Sequence, residues 1–139
     1  PGMTRFMISP EQCVELVWHA FEDMDGGEMY DKKIPSMRIP EIANVVAPEA
    51  TQKTVGIRPG EKLHEQMIGI EDAPYTYEYP EHFKILPAIN NWDSSSARIK
   101  DGIRVADDFI YSSDTNTEWM SEAELSEWID INAHKIGAI

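Results

Sequence analysis

The residues of this chain best suited to chemistry sit together in Gly56-Ile57-Arg58-Pro59-Gly60-Glu61-Lys62-Leu63-His64-Glu65. Val55 and Ile57 read as the end of a strand over 53–57 that stops at Arg58. Pro59 and Gly60 then force a turn, because proline needs no N–H and glycine lets the backbone approach something closely. Residues 61–68 have the composition of a helix. That order puts an arginine at a strand end and a carboxylate three residues later at a helix N-terminus. A guanidinium there can grip a phosphate through two parallel N–H bonds, and the glutamate can accept hydrogen bonds from vicinal sugar hydroxyls. A structural account fits the same spacing. Arg58 and Glu61 can form an ion pair across a turn, since turn and cap chemistry alone explains these residue types. On spacing alone the structural account is the simpler one.

Other chemistry finds little support. No G-x-G-x-x-G or G-x-x-G-x-x-G turn occurs, so no dinucleotide fingerprint is present. His19, His64, His82 and His134 are scattered without an H-x-x-x-H pair, and no metal site is expected. His64 beside Glu65 reads as a surface helix residue before it reads as a metal or acid–base group. Glu122, Glu124 and Glu127 read as a solvated helix face. The single Cys13 excludes an intramolecular disulfide framework and fits a reducing, cytoplasmic setting; it reads as a small buried apolar residue beside a core face. Trp92 and Trp119 fall in or beside loops, where a stacking role stays open.

The elements that must position these residues can be read from local signals. Ser9-Pro10-Glu11-Gln12 is a helix start: a serine cap, proline at the first position, and a glutamine that reaches back. Val14, Val17, Trp18 and Phe21 then repeat at helical spacing, with Gln12, Glu15, His19 and Glu22 on the wet side. Cys13, Leu16 and Ala20 extend the apolar circumference beyond one stripe. The helix ends near Asp25-Gly26-Gly27. A strand over 28–34 and a helix over 39–46 follow, the latter stopped by Pro48. Tyr75, Tyr77 and Tyr79 alternate with polar residues at a strand period, and 83–86 is a candidate partner strand. Residues 90–97 read as an irregular loop. Ser121 and Glu124 open a last helix whose apolar stripe is Leu125, Trp128, Ile129, Ala133 and Ile136. Helices and short strands without regular alternation predict an α+β fold.

The chain has 139 residues, enough for one domain with a real core. Pro1-Gly2 reads as a cloning remnant ahead of a single domain over 3–139. With 12 basic against 25 acidic residues the net charge is −13, which repels nucleic acid and anionic membranes. A phosphate ligand would therefore need a local basic pocket, for which Arg5, Arg58 and Lys62 are the candidates. No apolar run long enough for a membrane helix appears.

The segment at 56–65 resembles the sugar-nucleotide-binding segment of extended short-chain dehydrogenases/reductases. It is most similar to the inverting UDP-N-acetylglucosamine 4,6-dehydratases, which open the pseudaminic acid pathway used to decorate flagellins. Ordered blocks carry the likeness along the chain. They are Met3-Thr4-Arg5-Phe6, Gly26-Gly27-Glu28, Lys33-Ile34-Pro35-Ser36-Met37, the segment itself, and Tyr111-Ser112-Ser113 with Trp119. They match only the C-terminal part of the family protein. The resemblance implies a small mixed α/β substrate-binding domain with no Rossmann core. It gives Arg5 and Arg58 to diphosphate or ribose, Glu61 to the ribose hydroxyls, and Lys62 a supporting electrostatic role. The family's hydride chemistry also needs a Tyr-x-x-x-Lys pair. Tyr30 has Ile34 at that position and the other tyrosines lack a lysine there. The resemblance thus implies a chain with no catalytic residue, not active alone, with NADP belonging to the unmatched domain. A weakly bound UDP-sugar, a second copy of the chain and a dehydratase N-terminal domain are the implied partners. A self-assembly or protein-interaction module without ligand, or a truncated gene product, is the alternative. Ile39-Pro40 departs from the family by lacking a Thr or Ser cap.

Overall fold

The computed structural model describes residues 2–88 and 96–136. In chain order the elements are β1 (Thr4–Phe6), α1 (Pro10–Asp23), β2 (Met29–Lys32), β3 (Ser36–Arg38) and α2 (Ile39–Val46). Then come β4 (Gln66–Ile68), a 3₁₀ turn at Ala73–Tyr75, β5 (Thr76–Glu78) and β6 (His82–Ile85). The order closes with α3 (Ser96–Ile99), β7 (Ile103–Arg104), β8 (Tyr111–Ser112) and α4 (Glu122–Ile136). The fold is mixed α/β with antiparallel sheets, in line with the sequence expectation. The chain forms two compact units, each from separated segments: Pro1–Met7, Pro35–Glu65 and Ser112–Ile139 in the first, Ile8–Ile34 and Gln66–Tyr111 in the second.

In the first unit β1 pairs antiparallel with β3, setting Thr4 opposite Arg38, Arg5 opposite Met37 and Phe6 opposite Ser36. Met37 and Ser36 are fully buried, and Leu125 from α4 joins the core. The predicted caps form. The Ser121 hydroxyl accepts from the Glu124 N–H at 3.3 Å, and Glu124 accepts from the Ser121 N–H at 2.7 Å. At α2, where a Thr or Ser cap is lacking, Glu41 accepts from the Arg38 N–H at 3.3 Å and Pro40 occupies the first turn.

Two local expectations in this unit fail. Residues 53–57 form no strand: Gly56 has φ +84°, outside the extended region, and Val55 and Ile57 remain exposed. Residues 61–65 form no helix, and the stretch ends in β4 instead. Their backbone groups are taken by distant partners. Leu63 O accepts from Thr4 N at 3.1 Å, Glu65 O from Ser113 N at 2.8 Å, and Glu65 N donates to Ser113 Oγ at 2.9 Å. A carbonyl so occupied supports a crossing chain segment rather than a helical ladder.

In the second unit the sheet order is β2-β6-β5-β7, with Tyr30 and Tyr77 both registered on Lys84. Phe83, Ile85, Leu86, Ile68 and Val105 make the core, with Phe83 packed between the rings of Phe109 (5.2 Å) and Tyr111 (5.0 Å). The tyrosine alternation is cut short, since Tyr75 lies in the 3₁₀ turn and Tyr79 N–H closes a turn onto His82 O at 2.9 Å. The loop expected over 90–97, with Trp92, lies outside the described residues except for its end in α3.

Helix α1 is capped by Ser9 and Gln12 as expected, with bonds of 3.2 and 3.0 Å, and its C-terminal cap is Met24. Its apolar stripe is not the face that is seated. Gln12, Leu16, Ala20 and Asp23 are the half-buried positions, while Val14, Val17, Trp18 and Phe21 are 52–68% exposed. Cys13 is exposed as well, contrary to its reading as a buried residue. Glu15, His19 and Glu22 are exposed as the sequence reading expects, although the His19 ring also meets His82 and Tyr30.

Candidate functional site

The turn that carries Arg58 is built as its residue types require. Glu61 N–H donates to Arg58 O at 3.0 Å, closing a four-residue turn with proline second and glycine third. Gly60 has φ +85°, the left-handed value that such a turn demands at that position. Glu61 Oε2 reaches back to accept from the Arg58 N–H at 3.0 Å. The Glu61 carboxylate thus pairs with the Arg58 backbone and not with its guanidinium, so the expected side-chain ion pair does not form. Among the described residues neither Arg58 nor Lys62 has an ion-pair partner, and both are exposed.

Arg5 is brought to the same segment from β1. Its Nη1 donates to Thr4 O at 2.6 Å and Leu63 O at 3.3 Å, and its Nη2 donates to Lys62 O at 3.0 Å. Nε faces Glu65 Oε1 at 3.5 Å, and the other Glu65 oxygen accepts from Phe6 N–H at 3.2 Å. Beneath this lies a polar chain. Thr4 Oγ1 stands 2.8 Å from His64 Nδ1 and 2.7 Å from Ser113 Oγ, with Thr4 and Ser113 buried. His64 is therefore a half-buried bridging group and not a surface helix residue. Three of the sequence blocks noted above, at 3–6, 56–65 and 111–113, meet in this network. Trp119, left open for stacking, is engaged within the chain: the Arg38 guanidinium lies 4.8 Å over its ring, and its Nε1 donates to Asn116 O at 2.8 Å.

The sequence profile described as "Polysaccharide biosynthesis protein" matches residues 1–87, more than half of the chain. The chain belongs to that family. It is 46% identical over 140 aligned residues to UDP-N-acetylglucosamine 4,6-dehydratase (inverting) of Campylobacter jejuni subsp. jejuni serotype O:23/36, covering 97% of this chain and 41% of the relative. It is 47% identical over 133 residues to the protein of the same name from serotype O:2, covering 92% of this chain and 40% of the relative. The chain therefore spans about two fifths of the length of the curated relatives it matches. Its fold resembles the X-ray structure of Pen from Bacillus thuringiensis with a TM-score of 0.77, at 23% identity over 95% of this chain and 39% of that one. The sequence similarity to the two dehydratases supports a place in a nucleotide-sugar biosynthesis family.

In this polysaccharide biosynthesis family member the second unit holds a cluster that sequence reading missed. A cavity of about 510 Å³ is lined by His19, Asp23, Lys32, Tyr79, His82 and Lys100, among others. Asp23 pairs with the buried Lys84 and with Lys100, and accepts from Tyr30 Oη at 2.7 Å. Burial opposes its charge, but hydrogen bonds from Lys100, Lys84 and Tyr30 outweigh that and hold its carboxyl well below the usual range. His82 stacks on Tyr79 at 4.6 Å, with its Nε2 3.3 Å from that of His19. Desolvation, then the His19 charge, pushes His82 down to about 4; desolvation pushes Tyr79 up to about 12. These residues come from positions 19–32, 79–84 and 100, and no local pattern links them. Among the described residues no group of three or more His, Cys, Asp or Glu could hold a metal ion.

Proposed function

We propose that the chain binds the nucleotide part of a UDP-sugar through the turn at 58–62 of the first unit. The observation that carries the reading is the turn itself. It is locked by reciprocal bonds between Arg58 and Glu61 while presenting two exposed cations, Arg58 and Lys62, on a chain of net charge −13. Arg58 supplies a planar fork for phosphate and Lys62 a point charge beside it. Glu61 keeps Oε1 for a ribose hydroxyl, and Arg5 belongs to the same site. The names of the two Campylobacter jejuni relatives support a UDP-sugar as the ligand class.

Binding is weak in this reading, because the chain spans only part of its relatives' length. Calorimetry with UDP and UDP-N-acetylglucosamine tests it, with a dissociation constant on the order of 0.1–1 mM expected. Arg58→Ala abolishes the heat of binding and Glu61→Gln reduces it. Undiminished binding in Arg58→Ala removes that residue from the site. The chain alone forms no 4-keto-6-deoxy product from UDP-N-acetylglucosamine and NADP; turnover above a blank would overturn that part. The exposed apolar ridge of α1 favours a second reading, in which this chain docks on a second copy or on a dehydratase N-terminal domain.

A further inference from the structure

The polar chain behind the turn satisfies all its hydrogens in one direction only. Ser113 Oγ accepts from the Glu65 N–H at 2.9 Å and lies 2.7 Å from Thr4 Oγ1, which in turn lies 2.8 Å from His64 Nδ1. Thr4 and Ser113 are buried, and neither hydroxyl has another hydrogen-bond partner among the described residues. Each hydroxyl brings one hydrogen that must be placed. If Ser113 donates to Thr4 and Thr4 donates to His64, every hydrogen meets an acceptor, provided that Nδ1 carries no proton. If Nδ1 is protonated and donates, Thr4 must donate to Ser113 instead. The Ser113 hydrogen is then buried with nothing to accept it, which is the costly arrangement.

We propose that His64 is a positioning residue of the binding turn, held as the neutral tautomer with a bare Nδ1 and its hydrogen on Nε2. It accepts the last hydrogen of a one-way chain from Glu65 N–H through Ser113 and Thr4. The proposal rests on the reading of 58–62 as the nucleotide-binding turn and names what holds that turn in place. Both ends of the chain lie in residues 64–65, just after the turn, and its middle links are Thr4 of β1 and Ser113 beside β8. Residues 61–65 have no helix or strand bonding of their own. Their place is set by this chain together with the bonds from Arg5 and from the Thr4 and Ser113 backbone. A turn whose rear segment is released is competent only part of the time, and its apparent affinity falls by that fraction. The role needs an acceptor at the Nδ1 position and nothing else of the imidazole. Asparagine carries Oδ1 at that distance along the side chain; glutamine is one methylene longer, and alanine offers no acceptor.

Nitrogen-15 NMR of the full chain at neutral pH reads the tautomer directly, the His64 signals being those lost in His64→Asn. The expected result is a hydrogen on Nε2 and none on Nδ1. A hydrogen on Nδ1, in the other tautomer or in an imidazolium, overturns the proposal. Thr4→Val removes the donor and should relax the ring toward a mixture of tautomers; an unmoved tautomer there overturns it as well. Calorimetric UDP affinity and hydrogen exchange of the peptides covering 58–66 are then compared in His64→Asn, His64→Gln and His64→Ala, with circular dichroism as the check on fold. His64→Asn should stay within about twofold of the unaltered chain in both, while His64→Gln and His64→Ala speed exchange and weaken UDP about fivefold or more. Equal losses in His64→Asn and His64→Ala would show that an acceptor alone does not suffice, and unchanged exchange in His64→Ala that the turn does not depend on it; either result overturns the proposal. Should Thr4→Val or His64→Ala fail to fold, the tautomer of the unaltered chain and the asparagine–glutamine contrast carry the test. If the unaltered chain shows no UDP binding at millimolar concentration, the functional reading above fails, and tautomer and exchange still decide whether His64 positions the turn.

Discussion

Asp23 is the residue on which the second unit's polar interior turns, because it neutralises Lys84, whose side chain is 2% exposed. Removing one partner of a buried pair leaves an uncompensated charge, so Asp23→Asn is expected to destabilise the fold by about 3 kcal/mol in urea melts at pH 7. The sign of its pH dependence follows from its lowered proton affinity. The folded carboxyl titrates below its ordinary 3.8, so the unfolded chain binds the proton first as pH falls. The stabilisation is present above pH 3.8 and lost below it. Melts at pH 6 and pH 3 should show a steeper loss in the native chain than in Asp23→Asn. At Gly60 the constraint is conformational and nothing else. Its φ is +85°, and a Cβ there would touch nothing within 4 Å. Gly60→Ala should cost roughly 1 kcal/mol or less visibly loosen the turn, lowering UDP affinity, with Gly60→Asn milder because asparagine tolerates the left-handed region. Equal affinity in both variants would show that the turn is not under backbone control.

Where an element's ends depend on neighbours in sequence, the sequence read them well. The Ser9 and Ser121 boxes close over three residues, and both formed where predicted. Ser9→Ala should lower stability by about 1 kcal/mol, read as a downward shift of the thermal midpoint. The helix at 39–46 matched to the residue, because Pro40 and Pro48 bracket it. What the sequence could not show is which side of an element meets the rest of the molecule. Val14, Val17, Trp18 and Phe21 have the right period for a core stripe, yet the structure seats α1 by Leu16, Ala20 and Asp23, with His19 against His82. An apolar period tells that a face is to be covered, not by what. The stretch at 61–65 failed for the complementary reason, since Arg5, Thr4 and Ser113 claim carbonyls and an amide of residues 62–65 from far along the chain. Of the site, the turn and its glycine were legible; Glu65 and Ser113 were not, because their roles exist only once β1 has crossed the segment.

For the whole molecule, the ridge on α1 and the charge pull in opposite directions. Trp18 and Phe21 are 64% and 68% exposed, and their rings stand 6.2 Å apart on one helix face. An apolar surface of this kind is unusual on a free chain, whereas a net charge of −13 opposes close approach of copies. We expect a dimer at low micromolar concentration that tightens as salt screens the repulsion, measured by sedimentation velocity in low and moderate salt. Trp18→Glu should return it to a monomer; a species monomeric at every salt concentration would refute self-association. The segmented build of the first unit has a further consequence for how the chain comes to exist. Thr4 is the first element's opening residue, yet the hydroxyl that closes its polar bond belongs to Ser113, 109 positions later. Because synthesis runs from the N-terminus, the Thr4 hydroxyl can meet His64 first, but its bond to Ser113 waits until 109 further residues have been made. The second unit needs nothing beyond Tyr111. Synthesis therefore sets an order: the second unit can be complete before the first, whose β1 emerges ahead of it yet settles later.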